Sequence, residues 1–178
     1  MPEQRISSER VFDGKLVKVR VDAVRLPSGR EATREVVEHP GAVAILPVTE
    51  AGKLILVRQF RYAVSRSLLE VPAGTREPGE ADEVTARREL HEEVGLEAGT
   101  IELLARFFIS PGWCNEELVA FRATGLREIG AQPEQDEELD IVEVDPADVP
   151  ALIASGEIAD AKTITAVLAH LSGIPGRR

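Results

Sequence analysis

Among its 178 residues the chain has a single cysteine, Cys114. No intrachain disulfide can form, and a cysteine-rich metal site is excluded. Long apolar runs are missing too: no stretch approaches the roughly 20 residues that a membrane-spanning helix needs. The amino terminus, Met1-Pro2-Glu3-Gln4-Arg5, is polar with no apolar run behind it, so no signal peptide is expected. Basic charge is scarce: 21 Lys and Arg against 31 Asp and Glu leave a net charge of -10. That balance disfavours nucleic-acid binding, which draws on clustered bases to neutralise phosphates. Most of the acidic excess serves solubility, although an acidic protein can bind a polyanion when metal ions stand between them. Repeats and low-complexity tracts are absent. The expectation is a cytoplasmic protein that engages neither a membrane nor nucleic acid.

What remains is suited to a packed core. Hydrophobic residues make up 43% of the chain, and its length allows one full domain with a small appendage. Residues 1–40 read as an antiparallel sheet. Val17, Val19, Val21 and Ala23 alternate with Lys18, Arg20 and Asp22, the period of a strand with one dry face. An extension this small struggles to build its own core, so it is expected to pack on the main domain or on a second subunit. Residues 41–178 form the main domain. Ala42 to Val48 and Leu54 to Val57 are short buried strands, and Pro72-Ala73-Gly74 reads as a loop. A helix is expected over 81–94, ended by Gly95, because the segment holds good helix formers and no internal Gly or Pro. Asp145-Pro146 opens a second helix that Gly156 closes, and a last one covers 163–171. The elements describe an α/β domain with a mixed sheet between helices.

The chemistry is expected on the first helix. Glu89, Glu92 and Glu93 stand at i, i+3 and i+4 and share one arc, with Val84, Ala86, Leu90 and Val94 assigned to the opposite one. Three clustered carboxylates suit a hard divalent ion such as magnesium, which shares its ligands with water and substrate phosphates. Taken alone, the same pattern also describes a solvated helix face with ion pairs to Arg87 and Arg88.

The surrounding spacing separates these readings. Gly74, five residues, Glu80, seven residues, Arg88-Glu89-Leu90, one residue, Glu92-Glu93, one residue and Gly95-Leu96 resembles the complete Nudix box. Nine matched positions arise by chance on the order of once in 10⁹ starting points. The resemblance implies the Nudix fold and hydrolysis of a nucleoside diphosphate linked to another group. It also implies Mg²⁺ as cofactor, with Mn²⁺ as the alternative ion. Glu89 and Glu93 would be the principal metal ligands, joined by Glu92 and the carbonyl of Ala73. Glu80 would support that site, and Arg88 would hold a carboxylate in place.

Segments outside the box resemble the ADP-ribose pyrophosphatase branch of the family. They are Val57 to Arg61, Leu69 to Gly74, Pro111 in Ser110-Pro111-Gly112, and Asp160-Ala161-Lys162-Thr163. The N-terminal sheet resembles the exchanged strands of the family's homodimers, which implies a homodimer here. Arg61, and less directly Arg58, are the candidates to grip substrate phosphates in a guanidinium fork. Glu70 either touches substrate or pairs with a nearby base. Trp113 either stacks on adenine or packs on its neighbours. In this branch a glutamate of the loop corresponding to the acidic segment Glu134-Gln135-Asp136-Glu137-Glu138 acts as general base or positions the attacking water. Glu137 is the match, with Glu134 and Glu138 as rivals. The expected substrate is ADP-ribose or another ADP-sugar. The alternatives are a different nucleotide sugar such as GDP-mannose, or a nucleotide sensor of the same fold that catalyses nothing.

Overall fold

A computed structural model describes residues 2–131 and 138–173. Two compact units are distinguished, Met1–Gly41 with Phe108–Glu117, and Ala42–Phe107 with Leu118–Arg178.

In the first unit, β1 (Gln4–Asp13), β2 (Lys18–Arg25) and β3 (Glu31–Glu38) form an antiparallel sheet in that order. The segment 108–117 joins it through backbone bonds from Val37 N to Trp113 O (2.8 Å) and from Asn115 N to Val37 O (3.2 Å). The expected dry face of β2 is not the buried one. Val17 lies outside the strand and is exposed, whereas Asp22 and Val24 are buried. Asp22 can be covered because Arg20 Nε donates to both of its oxygens, at 3.2 and 3.1 Å. Every residue of β1 is exposed, including Ile6, Val11 and Phe12.

The second unit holds two sheets. One has the order β10 (Leu139–Val144), β5 (Leu54–Arg61), β6 (Arg66–Glu70). The other runs β7 (Ala73–Thr75), β4 (Ala42–Pro47), β9 (Glu117–Glu128), β8 (Leu96–Phe108). Strands β4 and β9 are parallel while β4 and β7 are antiparallel, so this sheet is mixed. All six residues of β4 are buried, as a strand covered on both faces must be. Its Val43 and Ile45 join Ala86, Leu90 and Val94 of helix α1 (Asp82–Val94) in the core, with Val119 and Phe121 of β9. Helix α3 (Ala161–Leu171) also packs on β4. This is the α/β arrangement expected, a mixed sheet between helices. Among the described residues no helix is long and apolar enough to cross a membrane.

Three local differences bear on the site. Residues 73–75 are a strand rather than a loop, because the free edge of β4 pairs Ala44 with Ala73, Val43 with Gly74 and Ala42 with Thr75. The second helix begins as a 3₁₀ turn at Pro146–Asp148, capped by Asp145 (Ala147 N to Oδ1, 2.9 Å), before α2 (Val149–Ser155). On α1 the buried residues are Thr85, Ala86, Glu89, Leu90, Glu93 and Val94, while Val84 is exposed. At about 100° per residue Val84 lies some 200° from Ala86, and Glu89 and Glu93 fall beside Leu90 and Val94. The carboxylates therefore flank the apolar stripe instead of opposing it.

Candidate active site

Helix α1 is placed by its ends. Asp82 and Glu83 occupy its first turn, where the helix dipole favours acids. Gly95 closes it in the left-handed region (φ 67°), with its N–H donating to His91 O at 2.9 Å. Between these ends Glu89 and Glu93 are 9% and 6% exposed, an expensive location for two like charges. Local partners account for it. Arg88 Nη1 donates to Glu89 Oε1 (2.6 Å) and Glu92 Oε2 (2.9 Å), and its other nitrogens reach Glu80 Oε1 and Oε2 (3.3 and 3.2 Å). Thr85 Oγ1 adds a bond to Glu80 at 2.8 Å. The bonds from Arg88 and then Thr85 hold the Glu80 carboxyl below the ordinary range. Bonding to Glu80 pushes the Arg88 guanidinium further above its own ordinary value.

The strand leading into the helix completes the arrangement. Ala73 N donates to Glu93 Oε2 at 3.1 Å. Gly74 lies so close to Glu89 that a Cβ there would sit 1.9 Å from the Glu89 carboxyl carbon. Two buried carboxylates thus rest against two consecutive residues of β7. Among the described residues no three acidic, His or Cys side chains already converge as a metal cage, since Glu89 and Glu92 are turned onto Arg88. The donor set is nevertheless oxygen-only, anionic and crowded, which fits a hard divalent cation.

A second cluster lies where β5, β6 and α3 meet. Arg61 Nε donates to Glu70 Oε1 (3.0 Å) and Oε2 (3.2 Å), and its Nη2 to Oε2 (2.7 Å). Lys162 Nζ bonds the same carboxylate and also Asp160 Oδ1 at 3.0 Å. Burial alone would push the Glu70 carboxyl up. The bond from Arg61 and the charge of Lys162 overcome that and hold it below the ordinary glutamate value. Of the two uses expected for Glu70, pairing with a base is the one this geometry contains. Arg58 stands three residues from Arg61, hence on the opposite face of β5. It donates to Glu157 Oε2 at 2.8 Å. The two arginines expected at phosphates are therefore not brought together.

A cleft of about 520 Å³ is lined by Arg58, Phe60, Ser67, Glu93, Glu138 and Leu139, among others. It joins the box helix to the start of β10. Glu138, one rival for the water-activating role, is at its wall; Glu137 and Glu134 lie outside the described residues. Trp113 belongs to the first unit and is more than half exposed.

Lys162, Asp160 and Thr163 were not among the site residues expected from sequence. Thr163 is fully buried and its Oγ1 accepts from Val71 N at 2.9 Å, fastening α3 to the segment that enters β7. One signal was available. A lysine in the first turn of a helix opposes the dipole and calls for an anionic partner elsewhere.

These features, a mixed sheet between helices with a glutamate-lined box helix on a glycine edge, define a pyrophosphohydrolase type of fold and site. The chain belongs to the Nudix family: residues 38–167 match the NUDIX domain, and residues 3–37 match the nucleoside diphosphate sugar hydrolase N-terminal domain. It is 41% identical to the ADP-ribose pyrophosphatase of Bacillus subtilis over 169 residues, 94% of this chain and 91% of that one. Identity to the ADP-ribose pyrophosphatase of Mycobacterium tuberculosis is also 41%, covering 93% of this chain and 82% of that one. The methanol dehydrogenase activator of Bacillus methanolicus is 41% identical as well, covering 93% and 90%. A crystal structure of an ADP compounds hydrolase shares the fold at a TM-score of 0.87 with 22% identity, covering 98% of this chain and 95% of that one.

Proposed function

We propose that this protein hydrolyses the pyrophosphate bond of ADP-ribose to AMP and ribose 5-phosphate with the help of a divalent cation, Mg²⁺ or in its place Mn²⁺. The observation that carries this reading is the pair of buried carboxylates, Glu89 and Glu93, packed against Ala73 and Gly74 beside a cleft that reaches Arg58. The choice of ADP-ribose draws support from the names of two relatives at 41% identity and from the resemblance around Arg61, Pro111 and the acidic loop.

Glu89, Glu92, Glu93 and the Ala73 carbonyl would hold the ion, with Glu92 and Glu93 acting next to the reacting phosphorus. When bound, such an ion neutralises phosphate charge and polarises the phosphoryl group. Arg61 would bind phosphate oxygens, aimed by Glu70, and Arg58 would do so after leaving Glu157. Glu137 would take a proton from the attacking water. The water oxygen then joins one phosphorus, and the bond from that phosphorus to the bridging oxygen breaks. Glu137→Gln is expected to lower kcat by about two orders of magnitude with KM little changed. Equal kcat in the variant would move the base to Glu134 or Glu138.

The reading extends to the domain level: residues 1–40 form a sheet extension covered by a second copy in a homodimer, and residues 41–178 the hydrolase domain, in the cytoplasm. The apolar side chains exposed on β1 support the cover. Sedimentation of the purified chain tests it, a monomer at micromolar concentration being the adverse result. For the activity, ADP-ribose, GDP-mannose and other nucleotide sugars are compared with Mg²⁺ present, the products being separated by chromatography. ADP-ribose is expected to have the highest kcat/KM. Its ranking among the poorest substrates would overturn the assignment.

A further inference from the structure

Lys162 is an anomaly that hydrolysis by the box residues leaves unused. Its side chain is 14% exposed, and it sits in the first turn of α3, where a cation is disfavoured by the helix dipole. A lysine is rarely buried without a charge to answer. Here two acids require one. Glu70 has 2% of its side chain exposed, and Asp160 is 16% exposed with its Oδ2 buried and without a hydrogen-bond partner among the described residues. Lys162 bonds both.

The consequence falls on Arg61. Its Nε and Nη2 are committed to Glu70, while its side chain remains 42% exposed. Glu70 thereby aims the guanidinium but also cancels its charge. Glu93 and Asp160 add to the negative field that Arg61 feels, after the bond to Glu70 itself. An arginine facing three carboxylates offers little attraction to a diphosphate. Without Lys162 those three carboxylates outweigh Arg61 by two charges; with Lys162 bonded to Glu70 and Asp160 the excess falls to one, and less of the Arg61 charge is offset.

We propose that Lys162 is a positioning residue for substrate binding: it balances the buried Glu70 and Asp160, so that Arg61 can be aimed by Glu70 and still attract the diphosphate of the substrate. The proposal rests on the reading of Arg61 as a phosphate-binding group. It separates two tasks that Glu70 would otherwise set against each other, orientation and charge.

The test compares wild type, Lys162→Met, Lys162→Arg and the pair Lys162→Met with Glu70→Gln. Two readouts are taken: steady-state hydrolysis of ADP-ribose, and calorimetric binding of its non-hydrolysable α,β-methylene analogue. Lys162→Met is expected to raise KM and the analogue Kd by about five- to tenfold, as loss of one nearby charge implies, while kcat changes less. Lys162→Arg, which keeps the charge, should recover most of the affinity. Adding Glu70→Gln to Lys162→Met should also recover part of it, because the unbalanced carboxylate is then neutral. A lysine that merely fastened α3 would behave differently: kcat and Tm would fall together and Glu70→Gln would not restore binding. Unchanged analogue Kd in Lys162→Met overturns the inference. Loss of analogue binding in that variant, with wild type binding but not hydrolysing ADP-ribose, would keep it and remove the proposed activity instead.

Discussion

Glu93→Gln is expected to reduce turnover by about three orders of magnitude, a loss of several kcal/mol of transition-state stabilisation, while the fold survives. The substitution is nearly isosteric. A glutamine oxygen can still accept the bond from Ala73 N, now made by Glu93 Oε2 at 3.1 Å, so β7 keeps its place against α1. What is lost is one negative charge at a position 6% exposed, where a charge acts strongly on anything bound nearby. Removing it also relieves repulsion between Glu89 and Glu93, which at i, i+4 costs a few tenths of a kcal/mol in an open helix. Thermal stability without metal should therefore hold or rise slightly. Activity should fall, and the Mg²⁺ concentration needed for half-maximal rate should increase. Calorimetric titration with Mg²⁺ or Mn²⁺ checks the affinity directly. Full activity at the wild-type Mg²⁺ requirement would remove Glu93 from the proposed ligand set.

The box could be read from sequence because its spacing fixes a register that no other constraint imposes. Gly74, Glu80, Arg88, Glu89, Glu92 and Glu93 fall where a helix and its entering strand need them, and the structure brings these residues together, while Gly95 closes the helix. The family and the mixed-sheet fold followed from the same pattern. Periodicity was a poorer guide to burial. Grouping Val84 with Ala86 assumed that apolar means inward, yet the angular positions on α1 put Glu89 and Glu93 next to the stripe and Val84 away from it. Arg88 makes that tolerable for Glu89 and the Ala73 N–H for Glu93; the resemblance implies that Arg88 holds one carboxylate, and the structure shows it gathering three, Glu80, Glu89 and Glu92. Long-range clusters were the least legible. Glu70 and Lys162 are 92 residues apart, and no local pattern in either segment names the other. Strand β7 was missed for a related reason: Ala73-Gly74-Thr75 has little strand character, and the edge of β4 imposes it.

The second large effect is expected at a residue that binds nothing through a side chain. Gly74→Ala would place a Cβ 1.9 Å from the Glu89 carboxyl carbon and 2.0 and 2.4 Å from its oxygens. Those distances cannot stand, so one party must move. Strand β7 is tied on one side to β4 through the pairing of Gly74 with Val43, whereas Glu89 is the far end of a flexible side chain. The carboxylate should give way, swinging from its contact with Arg88 Nη1 at 2.6 Å. The stability cost is then small, about 1–2 kcal/mol, read as a modest fall in Tm. The functional cost is larger, because a displaced oxygen donor serves a divalent ion poorly. Activity is expected to drop about a hundredfold, with a raised Mg²⁺ requirement. A double-mutant cycle identifies the cause. If the clash with Glu89 is the mechanism, Gly74→Ala should add almost nothing in a Glu89→Ala background, since the methyl then meets open space. Independent, multiplying losses would show that Gly74 acts through the backbone, and the close approach to Glu89 would not be the reason for glycine at this position.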